Sequence, residues 1–226
     1  YEPAPQDAGT IADADLVFYT GLMYEPAPLI ELLENSVCGS EALAEVGESV
    51  FPIEFKEGGH DDHDEEGHDD HDEEGHDGHE GHGHGAYDPH FWFDPNRVVY
   101  AAEFIESKLV GFDPSNSSAY EAAGEAYADE LKSLTSQVSE LISSIPSQNR
   151  QLITTHESLG YLEAKFGLEV LSTIIPDLDS SNEISPSQLV GVIDVIEDNN
   201  VKVIFIEAEA PSVYAETIVA ETGIKA

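Results

Sequence analysis

The chain has 226 residues, 40% of them hydrophobic, enough for one large or two modest domains with a buried core. Against 47 acidic residues stand only 8 basic ones, for a formal net charge of −39. That balance excludes nucleic acid, whose phosphates need Lys and Arg to release counterions, and anionic membrane surfaces; it suits cations. Thirteen of the acids fall between Glu57 and Glu80 and the other 34 are spread over the chain, so the acidity is global. Such a surface keeps a protein hydrated where salt screens its self-repulsion, and it implies a salt-loving source.

The single cysteine, Cys38, leaves neither a disulfide framework nor a thiolate zinc cluster, and is expected to fill a turn or pack. No apolar window approaches the length of a membrane span. The chain opens on Tyr1 and stops at TGIKA after an apparent helix, so it reads as an internal fragment of a longer precursor.

In chain order, ADLVFYTG (Ala14–Gly21) is a short apolar run closed by Gly, a buried-strand signal, and PLIELLENS (Pro28–Ser36) has helical spacing. Gly59 to Gly85 then holds eight of the ten histidines and an eight-residue duplication, GHDDHDEE, at Gly59–Glu66 and Gly67–Glu74. Nothing in it can form a core, so it reads as a disordered low-complexity loop. Its pairs His60/His63, His68/His71 and His76/His79, with His82 and His84 beyond them, lie among carboxylates and can chelate Zn²⁺, Ni²⁺ or Cu²⁺. A flexible chain loses entropy on chelating, so its affinity should fall below that of a preformed site.

FDPNRVVYAAEFIESKLVGFDP predicts a helix with Asp94 as N-cap, Pro95 as first residue, and Gly111 and Pro114 at its end. A longer helix is expected from about Ser115 to Ile145, where Tyr120, Tyr127, Leu131, Leu134, Val138, Leu141 and Ile142 recur at helical steps. About 30 residues make roughly 45 Å, enough to cross between domains. After Pro146 strands and helices alternate: RQLITTH, ESLGYLEAKFG, LEVLSTII, SPSQLVGVIDVIEDNN, VKVIFIEAE, SVYAETIVAETG. Alternation of this kind predicts a parallel sheet with ligands at the carboxyl ends of its strands, where His156 and Glu207 fall.

Zinc favours imidazole held by a rigid fold. His90, between Pro89 and Phe91-Trp92-Phe93 ahead of a capped helix, has such a setting; His156 follows the strand LITT. A single His in either place is more often a packed or surface residue. Two of them at equivalent strand ends of two α/β halves raise the odds of a shared metal.

Five stretches, YEPAPQDAGTIADADLVFYTGLMYEP, AYDPHFWFDPNRVVYAA, DPSNSSAYEAAGEAYADEL, ITTHESLGYLEAKFGLEV and ISPSQLVGVIDVIEDNNVKVIFIEAEAPSVYAETIVAETGIKA, resemble successive blocks of the metal-binding solute receptors of ABC transporters, the zinc and manganese uptake family. DPHFWFDP and TTHESLGYL are the most specific. The resemblance implies an α/β fold of two Rossmann-like lobes joined by one long rigid helix, the helical-backbone type of periplasmic binding protein. The N-terminal lobe would span 1–114 with a metal loop at 57–86, the linking helix 115–146 and the C-terminal lobe 147–226. It implies His90 and His156 as metal ligands, with Glu207 and Asp94 behind them or lining the cleft. A further His would lie just ahead of residue 1, and an acidic ligand past Ala226. Ala208–Glu209 departs from the Pro-Gln pair common in the family.

The function so implied is capture without chemical conversion. An extracytoplasmic, membrane-anchored monomer takes up Zn²⁺, with manganese as the lesser alternative, and delivers it to an ABC permease and its ATPase. The histidine-rich run would be an accessory collector, lid or sensor. Two other readings compete with it. A zinc hydrolase using Glu157 as base lacks any H-E-x-x-H helix or other catalytic signature. A metal buffer or surface adhesin would act chiefly through the histidine run.

Overall fold

A computed structural model describes residues 4–55, 87–175, 185–207 and 212–225. The histidine-rich run, with His60, His63, His68, His71, His76, His79, His82 and His84, lies outside the described residues. The regular elements are α1 (Pro5–Ala12), β1 (Val17–Tyr19), α2 (Ala27–Ser36), β2 (Leu43–Glu45), α3 (Pro95–Phe112), α4 (Ser117–Ser143), β3 (Gln151–Thr154), α5 (Gly160–Phe166), β4 (Glu169–Thr173), α6 (Pro186–Asn199) and α7 (Ser212–Thr222).

Both strand pairs are parallel: β3 lies beside β4 with Leu152 opposite Val170, as the alternation after Pro146 predicts, and β1 beside β2 with Phe18 opposite Ala44. On the other side of β3, Ile153 bridges Ile204 and Val203 bridges Lys225, again in parallel. The predicted strand VKVIFIEAE is thus present as isolated bridges rather than a continuous ladder. Parallel strands are covered on both faces, which is why they read as unbroken apolar runs. Ile153 and Ile204 are almost fully buried, together with Val192 and Ile196 of α6 and Ile218 of α7.

A second core joins Val46, Val50, Phe91 and Ala101 to Tyr161 of α5. Tyr161 comes from the part of the chain after α4, yet packs among residues that precede it. The long helix α4 has 27 residues, about 40 Å at the α-helical rise. Its start is later than expected because Pro114–Asn116 forms a 3₁₀ turn first. Only Ala128 and Leu131 of α4 are buried, against Val99 of α3, and Thr135 Oγ1 donates to Asn96 Oδ1 at 2.9 Å. Tyr127, Leu134 and Leu141 recur at helical spacing and are exposed. The periodicity marks the helix without saying which face it covers.

The start of α3 follows its sequence punctuation. Asp94 is the N-cap, its carboxylate accepting from Asn96 N at 3.0 Å, and Pro95 is the first helical residue. The end differs, since Gly111 stays helical and the helix closes at Phe112 with Asp113 as C-cap. Asp94→Ala removes the cap and the nearby Arg97 contact at 3.7 Å. We expect a loss of about 1 kcal/mol, measured by denaturant unfolding. The short helix α1 carries no strong sequence signal and was not expected. Cys38 is exposed, in the bend that follows α2.

Candidate metal centre

Asp88-Pro89-His90 forms a tight local turn in front of α3. Asp88 Oδ1 accepts from His90 N at 2.8 Å and meets His90 Nδ1 at 2.7 Å. An ionised carboxylate only accepts, so Nδ1 carries the ring proton and Nε2 is left with its lone pair outward. Asp88 is 4% exposed, which keeps this bond out of competition with water.

His156 is built differently. It leaves β3 at the strand's carboxyl end, where Thr154 Oγ1 donates to His156 O at 2.8 Å and pins the turn. The adjoining segment returns beside it: Thr155 Oγ1 accepts from Glu207 N at 3.0 Å, and Glu207 Oε1 is in contact with His156 Nδ1. With the Glu207 carboxylate against Nδ1, His156 Nε2 is the ring nitrogen on the other side, turned to His90. Burial holds the His156 imidazole below its ordinary 6.5, against the opposing pull of Glu207, while neighbouring His90 lowers it further.

The two free nitrogens face each other, Nε2 to Nε2, at 3.4 Å. With both Nδ1 atoms protonated this contact brings two lone pairs together, an arrangement that a metal ion, or a proton on one ring, would relieve. Two nitrogens on a tetrahedral zinc at 2.0–2.1 Å stand about 3.3–3.4 Å apart. The arrangement is carboxylate, imidazole, gap, imidazole, carboxylate, the order in which outer carboxylates orient metal-binding histidines.

Tyr24 stands edge-on to the His90 ring, with centroids 6.3 Å apart, and Trp92 lies 5.4 Å from His90 and 5.3 Å from Tyr24. Tyr24 is placed by a loop with left-handed backbone at Gly21, Leu22 and Met23. Two carboxylates clamp that loop: Glu25 accepts from Thr20 N at 2.6 Å and Gly21 N at 2.9 Å, and Glu45 accepts from Leu22 N at 3.0 Å. Burial, reinforced by Glu45, pushes the Tyr19 hydroxyl up to about 12.

Of the residues expected from sequence, His90, His156 and Glu207 come together. Asp94 does not join them; its carboxylate serves the helix cap and Arg97. Asp88 and Tyr24 were not anticipated. For Asp88 a signal existed in D-P-H, where an acid two residues before a histidine can reach back to its ring. Among the described residues no group of three His, Cys, Asp or Glu side chains converges on one point, so the pair supplies two donors. Glu207→Gln replaces the acceptor at His156 Nδ1 by an amide; zinc affinity should drop about 10- to 100-fold, read by competition titration.

A family model described as zinc-uptake complex component A, periplasmic, matches residues 1–226. The high-affinity zinc uptake system protein ZnuA of Bacillus subtilis is 31% identical over 230 residues, covering 100% of this chain and 65% of that protein. The manganese-binding lipoprotein MntA of Halalkalibacterium halodurans is 25% identical, over 99% of this chain and 64% of its own length. The iron-binding protein YfeA of Yersinia pestis is 26% identical, over 99% and 63%. The chain therefore spans just under two thirds of these relatives. Among solved structures, the periplasmic zinc-binding protein TroA of Treponema pallidum superposes with a TM-score of 0.78 at 21% identity, over 100% of this chain and 73% of that one, a likeness of fold. From the full-length match, the chain belongs to the family of the periplasmic zinc-uptake component A, the metal-binding solute receptors of ABC transporters.

Proposed function

We propose that the protein captures a divalent metal ion, zinc foremost, between His90 and His156 and hands it to an ABC permease driven by its ATPase. The observation that carries this reading is the pair of opposed Nε2 atoms at 3.4 Å, each ring oriented through Nδ1 by a carboxylate. Imidazole donors at tetrahedral spacing favour zinc, whereas manganese prefers more oxygen ligands. Two nitrogens leave a tetrahedral shell incomplete, so further ligands, from protein or solvent, complete it. Residues 1–114 and 147–226 act as the two lobes, with 115–146 linking them, and the protein works outside the cytoplasm, anchored to the membrane.

The histidine-rich run is an accessory in this reading, a weak collector beside a preformed site. The test is zinc titration, with manganese as competitor, of three proteins: the full chain, a version lacking Gly59–Gly85, and a His90→Ala/His156→Ala version. Tight binding that follows Gly59–Gly85 instead of the two histidines would overturn the assignment and leave a buffer or surface protein.

A further inference from the structure

His90 owes its orientation to Asp88, and Asp88 is itself held from the far part of the chain. Tyr161, 1% exposed, belongs to α5, downstream of His156, but is enclosed by Val46, Val50, Phe91 and Ala101 from upstream of α4. Its hydroxyl donates to the Asp88 carbonyl at 2.7 Å and accepts from Ile53 N at 3.2 Å. Burial raises the pKa of this hydroxyl, so it remains a donor throughout the physiological range. The Arg97 guanidinium carbon lies 5.4 Å from the ring centroid, and Arg97 Nη1 donates to Val50 O at 2.7 Å, tying the ring to α3.

Gly160, the residue before Tyr161, approaches the same aspartate from its other end. A Cβ at Gly160 would come within 2.7 Å of Asp88 Oδ2. That carboxylate cannot turn aside without cost, because Oδ1 accepts from both His90 N and His90 Nδ1. Of two consecutive residues of α5, Tyr161 thus holds the Asp88 backbone and Gly160, lacking a side chain, leaves the room its carboxylate occupies.

We propose that Tyr161, with Gly160 beneath the Asp88 carboxylate, is a positioning residue that sets the His90 imidazole opposite His156. The helix α4 connects the two parts of the chain, while this latch fixes the separation of their imidazoles. The inference rests on the reading of His90 and His156 as the metal pair. It makes metal affinity depend on a hydroxyl that touches no metal.

The test compares the full chain with Tyr161→Phe, which keeps the ring and removes the hydroxyl, and with His90→Ala. Zinc is titrated against a chelating dye that suppresses weak sites, and Co²⁺ absorption reports the ligand geometry. Tyr161→Phe should bind zinc about 10-fold more weakly, the scale of a lost outer-shell partner. Its Co²⁺ bands should shift, and it should have no further effect in a His90→Ala background. If His90→Ala loses tight zinc while Tyr161→Phe keeps the parent affinity and the parent Co²⁺ spectrum, the latch is wrong and the metal pair stands. If His90→Ala also keeps tight zinc, the pair itself is wrong and the latch falls with it. Should Tyr161→Phe fail to fold, Gly160→Ala, which pushes directly on Asp88 Oδ2, is read in the same way.

Discussion

Replacing His90 and His156 together by alanine should abolish tight zinc binding, with at least about a 100-fold loss, while deletion of Gly59–Gly85 leaves the tight site in place. The magnitude follows from what each ring contributes. Loss of a partner behind a ligand costs about 10- to 100-fold, and loss of the ligand itself costs no less. The contrast with the deletion follows from preorganisation. His90 and His156 are already oriented, by Asp88 and Glu207, with their free nitrogens at a separation a tetrahedral zinc would use. Histidines in a chain that must be ordered on binding give up part of their interaction energy to entropy. Calorimetry should therefore show one tight step lost in the double substitution, and only weaker steps lost in the deletion.

Zinc affinity should be flat above pH 7 and fall between about 10- and 100-fold from pH 7.5 to 5.5. A metal needs neutral imidazole, and each ordinary imidazole, with a pKa near 6.5, gives up about 10-fold in availability at pH 5.5. His156 is held below 6.5, chiefly by burial, so proton competition at this ring sets in at lower pH and the total drop stays under the two-ring limit. The same shift has a sign for the metal-free protein. The unfolded chain protonates this histidine more readily than the folded one, so its contribution to stability is present above about 6.5 and is lost as pH falls towards the folded value. Affinity measured in competition across this range, beside thermal unfolding without metal, checks both. A constant affinity from pH 7.5 to 5.5 would overturn this prediction.

The family, the parallel α/β pattern and the two histidines proposed as ligands were legible in the sequence because each rests on local texture. Asp94-Pro95 marks the start of α3 through the geometry of a single turn. His90 and His156 stand out because each adjoins a strand end or a capped helix, whereas the other eight histidines sit in a run with no apolar residue to bury. Glu207 was legible by position at a strand end, though its contact with His156 was not. Cys38 carried too little local signal for more than the expectation of a turn or packing role, and the end of α3 was misplaced by one glycine that the helix tolerates.

What only the tertiary structure decided are relations between distant residues. His90 and His156 are 66 residues apart, Tyr161 and Asp88 73, and Tyr161 and Ile53 108. No periodicity records such pairs, because hydrophobic and capping patterns report a residue's own turn or strand and not the surface it meets. In α4 the apolar repeat identified a helix, yet the packing against α3 selected Ala128 and Leu131 for burial and left Tyr127, Leu134 and Leu141 exposed. The sequence by itself therefore determined which side chains can hold a metal and where each enters the backbone. The fold decided that their nitrogens face one another, since Asp88 sits behind one ring and Glu207 behind the other, from separate parts of the chain.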